Sequence, residues 1–374
     1  MRRSVLGGAL LSALWPFLAS RLLVWIGTEA IAPLLPQAHY YADFWRPANP
    51  ILRRLFHFDA QYFAVVTHFG YRGGPVPPLP PTAYRTSFLP LLPFLARLLG
   101  GSDWALLAVT NLAFLAALTI LYLLARRHLD ESPSRLLLWI LALGPASIFF
   151  SYAYSESLLL LGIAGTLYGL DAKRPGLAGA AALFGAMSRV PGVLLAVPLA
   201  VEAWRGGRRL PALAATLAPI LGLAIVSLLE WLLAGDPLGW LHGQLHWVLG
   251  VHRNPLFPIG QFGEALLRLD PTRIEAYGFP LLVAFAAGTA WALRRLPPGY
   301  GLFAGANLVL DVSQAYAVGG FEAIPRYLAV VVPCYFAFAS WLAPHRLLRV
   351  AWLSVSAAAL LLFASLFGSS RFVG

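Results

Sequence analysis

The chain has 374 residues, 59% hydrophobic and 11% charged, with a formal net charge of +11 and a mean hydropathy of +0.72. A soluble domain carries about 25% charged residues, so this composition excludes an ordinary globular enzyme and fits a polytopic membrane protein. The positive charge does not mark a nucleic-acid binder, because the arginines fall in short patches between apolar runs, the pattern of cytoplasmic loops.

In chain order, the apolar run from Val5 to about Leu35 lacks a small-residue cleavage pattern, so the first span, Val5–Ile26, reads as uncleaved. Arg2 and Arg3 put the N-terminus in the cytoplasm, with Arg21 and Glu29 towards the outer end of the span. A large first extracytoplasmic loop, 37–101, then carries Asp59, Tyr40, Tyr41, Trp45 and the proline run Pro75 to Pro81. Within it, Phe56–Phe69 is expected to form a short interfacial helix. Trp104–Ala125 returns to a basic stop at Arg126-Arg127, and Leu136–Phe150 goes outward again. Ser151-Tyr-Ala-Tyr-Ser-Glu-Ser157 thereby brings Glu156 to the same face as Asp59.

Leu158–Leu170 comes back in, and Leu177–Trp204 decides the second half. As a single helix it would put Arg205, Arg208 and Arg209 outside, against the positive-inside rule. As a re-entrant hairpin turning at Ser188-Arg-Val-Pro-Gly192 it returns them to the cytoplasm, each arm reaching roughly 18 Å. Such a turn is tolerated at membrane depth only where it lines a protein cavity. Further spans are expected at Pro211–Leu233, Phe279–Leu293, Gly301–Val318, Tyr327–Leu342 and Val350–Leu366. A second outer loop, 235–276, holds Trp240, Trp247 and three histidines. The expectation is one all-α transmembrane domain over 1–374 with about 10–11 spans, acting as a monomer in the cytoplasmic (inner) membrane with its site on the extracytoplasmic face.

Among candidate residues, arginine suits a phosphate through forked, charge-assisted hydrogen bonds, which singles out Arg189 and Arg326. The competing reading pairs them with Glu156, Glu322 or Asp59, or lets them snorkel to the headgroups, and both readings stand on sequence. Arg21 reads as structural. Asp59, on an ordered loop among aromatics, suits a general base, or else a capping or salt-bridged acid. Glu156 suits a helix start or the orientation of Asp59 or of a substrate hydroxyl. His57 with Asp59, His242 with His246, and Asp43 with Asp59 match no metal-ligand set, so a magnesium or manganese ion finds no support and no cofactor is assigned. Neither a Walker loop nor a dinucleotide glycine fingerprint is present, which leaves ATP-driven and nucleotide-sugar mechanisms without support. The single cysteine, Cys334, lies in an apolar run, reads as a core residue and rules out an intrachain disulfide.

Several stretches together resemble the PIG-V-like mannosyltransferases, meaning glycosylphosphatidylinositol mannosyltransferase 2 and its prokaryotic relatives. They are Phe58-Asp-Ala-Gln-Tyr62 through Gly70-Tyr71, Phe88-Leu-Pro-Leu-Leu-Pro93, and Gly144-Pro-Ala-Ser-Ile-Phe-Phe-Ser-Tyr-Ala-Tyr-Ser-Glu-Ser157. Ser188-Arg-Val-Pro-Gly192 and Pro325-Arg-Tyr327 complete the set. Departures are Phe58 for the usual Trp, Leu89 and Leu92 in the Phe-Phe-Pro segment, and Val190-Pro191 for Ser-Asn. The resemblance implies a GT-C glycosyltransferase fold and a sugar carried on a polyprenyl or dolichyl phosphate, passed to a lipid or glycan hydroxyl. It further implies Asp59 as the first-loop catalytic acid. Glu156, Arg189 and Arg326 match motif positions whose roles follow from chemistry, with Tyr62 and Tyr154 as substrate-orienting side chains. A transporter of lipid-linked sugars without bond breaking, a membrane scaffold, and transfer of another sugar are the rival expectations.

Overall fold

A computed structural model describes residues 2–38, 43–75, 85–207, 210–246, 267, 275–318 and 323–373. Expectations resting on Tyr40, Tyr41, Pro77–Pro81, Arg208, Arg209, Trp247, His252 and Glu322 fall outside the described residues, as do the side chains of Arg2, Arg3 and His246. The described chain is all-α, with no strand among the described residues. Among the described residues, four helical stretches are long and apolar enough to cross a membrane: Val5–Leu34, Asp103–Ala125, Leu210–Ala234 and Arg346–Gly368. Pro175–Ser188 and Val332–Leu342 are shorter apolar helices, so not every expected span meets that standard as a single helix.

The first helix, α1 (Arg2–Trp25), widens into a π-helical stretch at Ile26–Ile31. A Cβ on Gly27 would lie 2.7 Å from Ala364 Cβ, so glycine is what lets this stretch press against the last helix. The first loop then builds α2 (Asp59–Phe69) and α3 (Leu91–Leu98). Here the structure corrects the expected interfacial helix: α2 begins at Asp59, and Ala60 to Thr67 are all buried. A segment apolar on every side is buried rather than laid on a surface. α3 turns apolar side chains outward, with Phe94 and Leu98 exposed. Arg97 ties the two helices together by donating to the C-terminal carbonyls of α2, Thr67 O at 2.6 Å and Val66 O at 3.2 Å.

Next come α4 (Asp103–Ala125), α5 (Glu131–Leu143) and α6 (Glu156–Asp171). The expected span Leu136–Phe150 is corrected too: α5 stops at Leu143 because Gly144-Pro145 cannot continue it. Pro145–Phe150 follows as a buried 3-10 turn. After α6 come α7 (Pro175–Ser188), a 3-10 turn Val190–Leu195, α8 (Ala196–Arg205), α9 (Leu210–Ala234) and α10 (Gly239–His246). The chain closes with α11 (Glu275–Arg295), α12 (Pro298–Val318), α13 (Ile324–Leu328), α14 (Val332–Leu342) and α15 (Arg346–Gly368). The expected span Tyr327–Leu342 is therefore broken between α13 and α14.

Glycines fix the directions of the central helices. A Cβ on Gly162 would sit 2.5 Å from Gly185 Cα and one on Gly169 2.7 Å from Ala178 N, so α6 and α7 run antiparallel. A Cβ on Gly179 would meet Ala215 at 3.1 Å and one on Gly222 would meet Leu183 O at 2.6 Å, so α7 and α9 run the same way. Residues 190–205 must therefore carry the chain back. The reversal starts at Arg189, which is extended (φ −155°, ψ 146°) between two helical segments.

Candidate active site

Four charged side chains from four separate segments meet in one network. Asp59 opens α2 and Glu156 opens α6, so both carboxylates sit at the positive ends of helix dipoles. Arg189 comes from the break after α7, and Arg326 from the short helix α13. Arg326 Nη1 lies 2.7 Å from Asp59 Oδ2, while its Nε donates to Glu156 Oε1. Arg189 Nη1 donates to that same Glu156 oxygen. The guanidinium of Arg326 also stands over Tyr154 and Phe149, 4.7 and 5.2 Å from their ring centroids. The pairing alternative read from the sequence is thus what the structure displays, with Glu156 as the shared partner.

Local backbone explains how Asp59 reaches this place. Phe58 has φ 52° and ψ −125°, a conformation that costs a side-chain-bearing residue about 1–3 kcal/mol and persists only when its surroundings impose it. Those surroundings are aromatic: the Phe58 ring packs edge-on against Phe367 at 5.5 Å and Phe372 at 5.3 Å. The C-terminal end of the chain therefore holds the residue that aims Asp59. Glu156 is positioned from the other side. Thr110 on α4 donates to Tyr154 O at 3.2 Å, and Ser157 Oγ to Phe150 O at 3.4 Å.

Tyr154 is fully buried, and burial, followed by the nearby Asp59 carboxylate, pushes its phenol well above the usual range. It stays a neutral hydroxyl at working pH. The Tyr62 ring is instead stacked on Phe88 at 4.5 Å, with Phe44 edge-on at 4.7 Å, inside the aromatic core of the first loop. Asp43 is engaged apart from Asp59, 2.9 Å from Gln61 Nε2 and 3.4 Å from His57 Nδ1. Among the described residues, no three His, Cys, Asp or Glu side chains converge to hold a metal ion.

Arg21 is held in another way altogether. Its Nη1 donates to Phe150 O at 2.6 Å and Asn111 Oδ1 at 3.1 Å, and its Nη2 to Ser147 O at 3.2 Å and Oγ at 3.0 Å. Asn111 in turn donates to Ser151 O at 2.9 Å. This pins the 147–151 stretch, and with it the approach to Glu156.

One acid near the network was overlooked on sequence. Asp311 on α12 is 4% exposed, on a helix that packs against the turn following Arg189 and against α13, which carries Arg326. The signal was present: a lone carboxylate inside the apolar run Gly301–Val318 is functional by default in a membrane protein.

No family model and no curated protein matches the chain. Among solved structures it is similar to the archaeal oligosaccharyltransferase AglB from Archaeoglobus fulgidus in complex with an inhibitory peptide and a dolichol-phosphate. That alignment covers 97% of this chain and 56% of that one, at 14% identity and a TM-score of 0.48. An Archaeoglobus fulgidus oligosaccharyltransferase tethered to an acceptor peptide covers 97% and 55%, at 15% identity and a TM-score of 0.48. The chain spans little more than half the length of these structures, and likeness at this level identifies no family.

Proposed function

We propose that the chain is an inverting membrane glycosyltransferase. It moves a mannose-type sugar from a polyprenyl or dolichyl phosphate to a hydroxyl of a lipid or glycan acceptor on the extracytoplasmic side of the cytoplasmic membrane. What supports this reading is the convergence of Asp59, Glu156, Arg189 and Arg326 into one connected network, together with the motif resemblance that picked out the same four residues.

In the proposed step the acceptor oxygen attacks the anomeric carbon as the bond from that carbon to the phosphate oxygen breaks. The polyprenyl phosphate leaves with the electron pair, and Asp59 takes the hydroxyl proton. Arg189 and Arg326 offset the charge that builds on the leaving phosphate. At rest Arg326 occupies Asp59 Oδ2, so a donor phosphate that draws Arg326 away also frees the base at the moment it is needed. The Tyr154 ring, beneath Arg326, holds that guanidinium by its face.

A second reading also has an observation behind it. All four charges are paired internally, as a membrane scaffold would have them, while a transporter of lipid-linked sugars would use the same residues to bind the lipid phosphate without breaking a bond. One experiment separates the readings. Purified protein is incubated with radiolabelled polyprenyl-phosphate mannose and cellular lipid or glycan extracts, wild type beside Asp59→Asn. The transferase reading expects a labelled glycoside from the wild type and a rate lower by about 10²–10⁴-fold in the folded variant. A folded variant with the native rate removes Asp59 as base; bound donor with no glycoside product favours the transporter.

A further inference from the structure

Asp311 is the buried acid that the proposed step leaves unused. Its helix, α12, packs against the Val190–Leu195 turn that follows Arg189 and against α13, which carries Arg326. One turn earlier on the same face lies Asn307, also buried, so α12 presents a polar stripe to the interior. Asp311 forms no salt bridge with Arg189, and its Oδ2 has neither solvent contact nor a hydrogen-bond partner among the described residues. Glu156 Oε2 is in the same condition: one oxygen of Glu156 receives both arginines and the other receives nothing.

Bare carboxylate oxygens in a buried site are costly until a donor arrives. The arginines beside them donate to other oxygens, Glu156 Oε1 and Asp59 Oδ2. The missing donors are therefore neutral hydroxyls, which a polyol ring supplies several at a time. We propose that Asp311 Oδ2 and Glu156 Oε2 are the two hydroxyl-accepting groups of a sugar subsite beside Arg189, reading the ring while the arginines face its phosphate. This rests on the lipid-phosphate-sugar reading above and adds to it the residue that senses the sugar.

The test measures binding of two probes to the full-length protein in lipid nanodiscs: polyprenyl-phosphate mannose and polyprenyl phosphate without sugar. Asp311→Asn is expected to weaken binding of the sugar-bearing lipid about tenfold while the bare lipid changes by less than about twofold. Asp311→Glu keeps the charge but moves the oxygens by one methylene. It is expected to lose the sugar-bearing lipid selectively by about threefold, and it carries the test if the neutral variant does not fold. Loss of both lipids alike, or of neither, overturns the sugar subsite alone. A wild-type protein that binds neither lipid overturns the lipid-phosphate reading, and this inference with it.

Discussion

Two arginines inside the same bundle are satisfied in opposite ways. Arg326 rests on carboxylates, Asp59 and Glu156, and on the faces of two aromatic rings. Arg21 is held by backbone carbonyls, an amide and a hydroxyl, and by the rings of Phe17 and Phe114. Carbonyl partners belong to the frame and cannot be exchanged without moving it. Carboxylate partners can give way to another anion. The difference separates an arginine that builds the protein from one that is available to a ligand.

The largest effect on stability should come from breaking the charged side of this comparison. Glu156→Gln keeps an acceptor oxygen but removes the negative charge that Arg189 and Arg326 share, leaving Arg326 with Asp59 alone and Arg189 without a carboxylate. The expected cost is about 3–5 kcal/mol, read as a lowered melting temperature of the detergent-solubilised protein. A variant that melts with the wild type would mean the arginines are not held by charge, and the contrast would collapse. Arg21→Met tests the other side. It strands the Phe150 and Ser147 carbonyls while removing a charge, so a smaller loss of about 1–3 kcal/mol is expected. A loss as large as that of Glu156→Gln would show that Arg21 also needs an acid.

The smallest effect lies at Asp43, where a carboxylate has neutral and ionisable partners together. Burial pushes its carboxyl up, but hydrogen bonding and charge from His57, the Gln61 hydrogen bond and the Arg46 charge overrule this and leave it below the usual range. A depressed value in the folded state stabilises above the unfolded value of about 3.9. That contribution disappears as pH falls through the folded value. Between pH 7 and pH 3 the wild type is therefore expected to lose slightly more melting temperature than Asp43→Asn. Parallel curves would show that His57 and Gln61 do not hold the carboxylate.

What the sequence revealed and what it hid follow from the range of the interactions. Asp59, Glu156, Arg189 and Arg326 were found because each stands out locally, as a charge beside an apolar run or in a proline-glycine break. Their pairing was not legible: Glu156 and Arg326 are 170 positions apart, and no local pattern reports which acid meets which base. The reversal at Ser188–Gly192 was legible from charge sidedness alone. The burial of α2 is not settled by its own residues, because an aromatic, apolar segment in an outer loop fits an interfacial helix as well as a buried one. Asp311 does not stand out in the same way, because a single acid leaves the apolar run 301–318 around it unbroken.

The spacing of small residues along α7 has a consequence for chemistry. Gly179 is pressed to Ala215 and Gly185 to Gly162, so the helix is clamped at two heights before it delivers Arg189. One residue inserted between those clamps would lift the guanidinium by about 1.5 Å and swing it by about 100°, carrying it off Glu156. In this bundle the address of a charge is written in glycines that carry none.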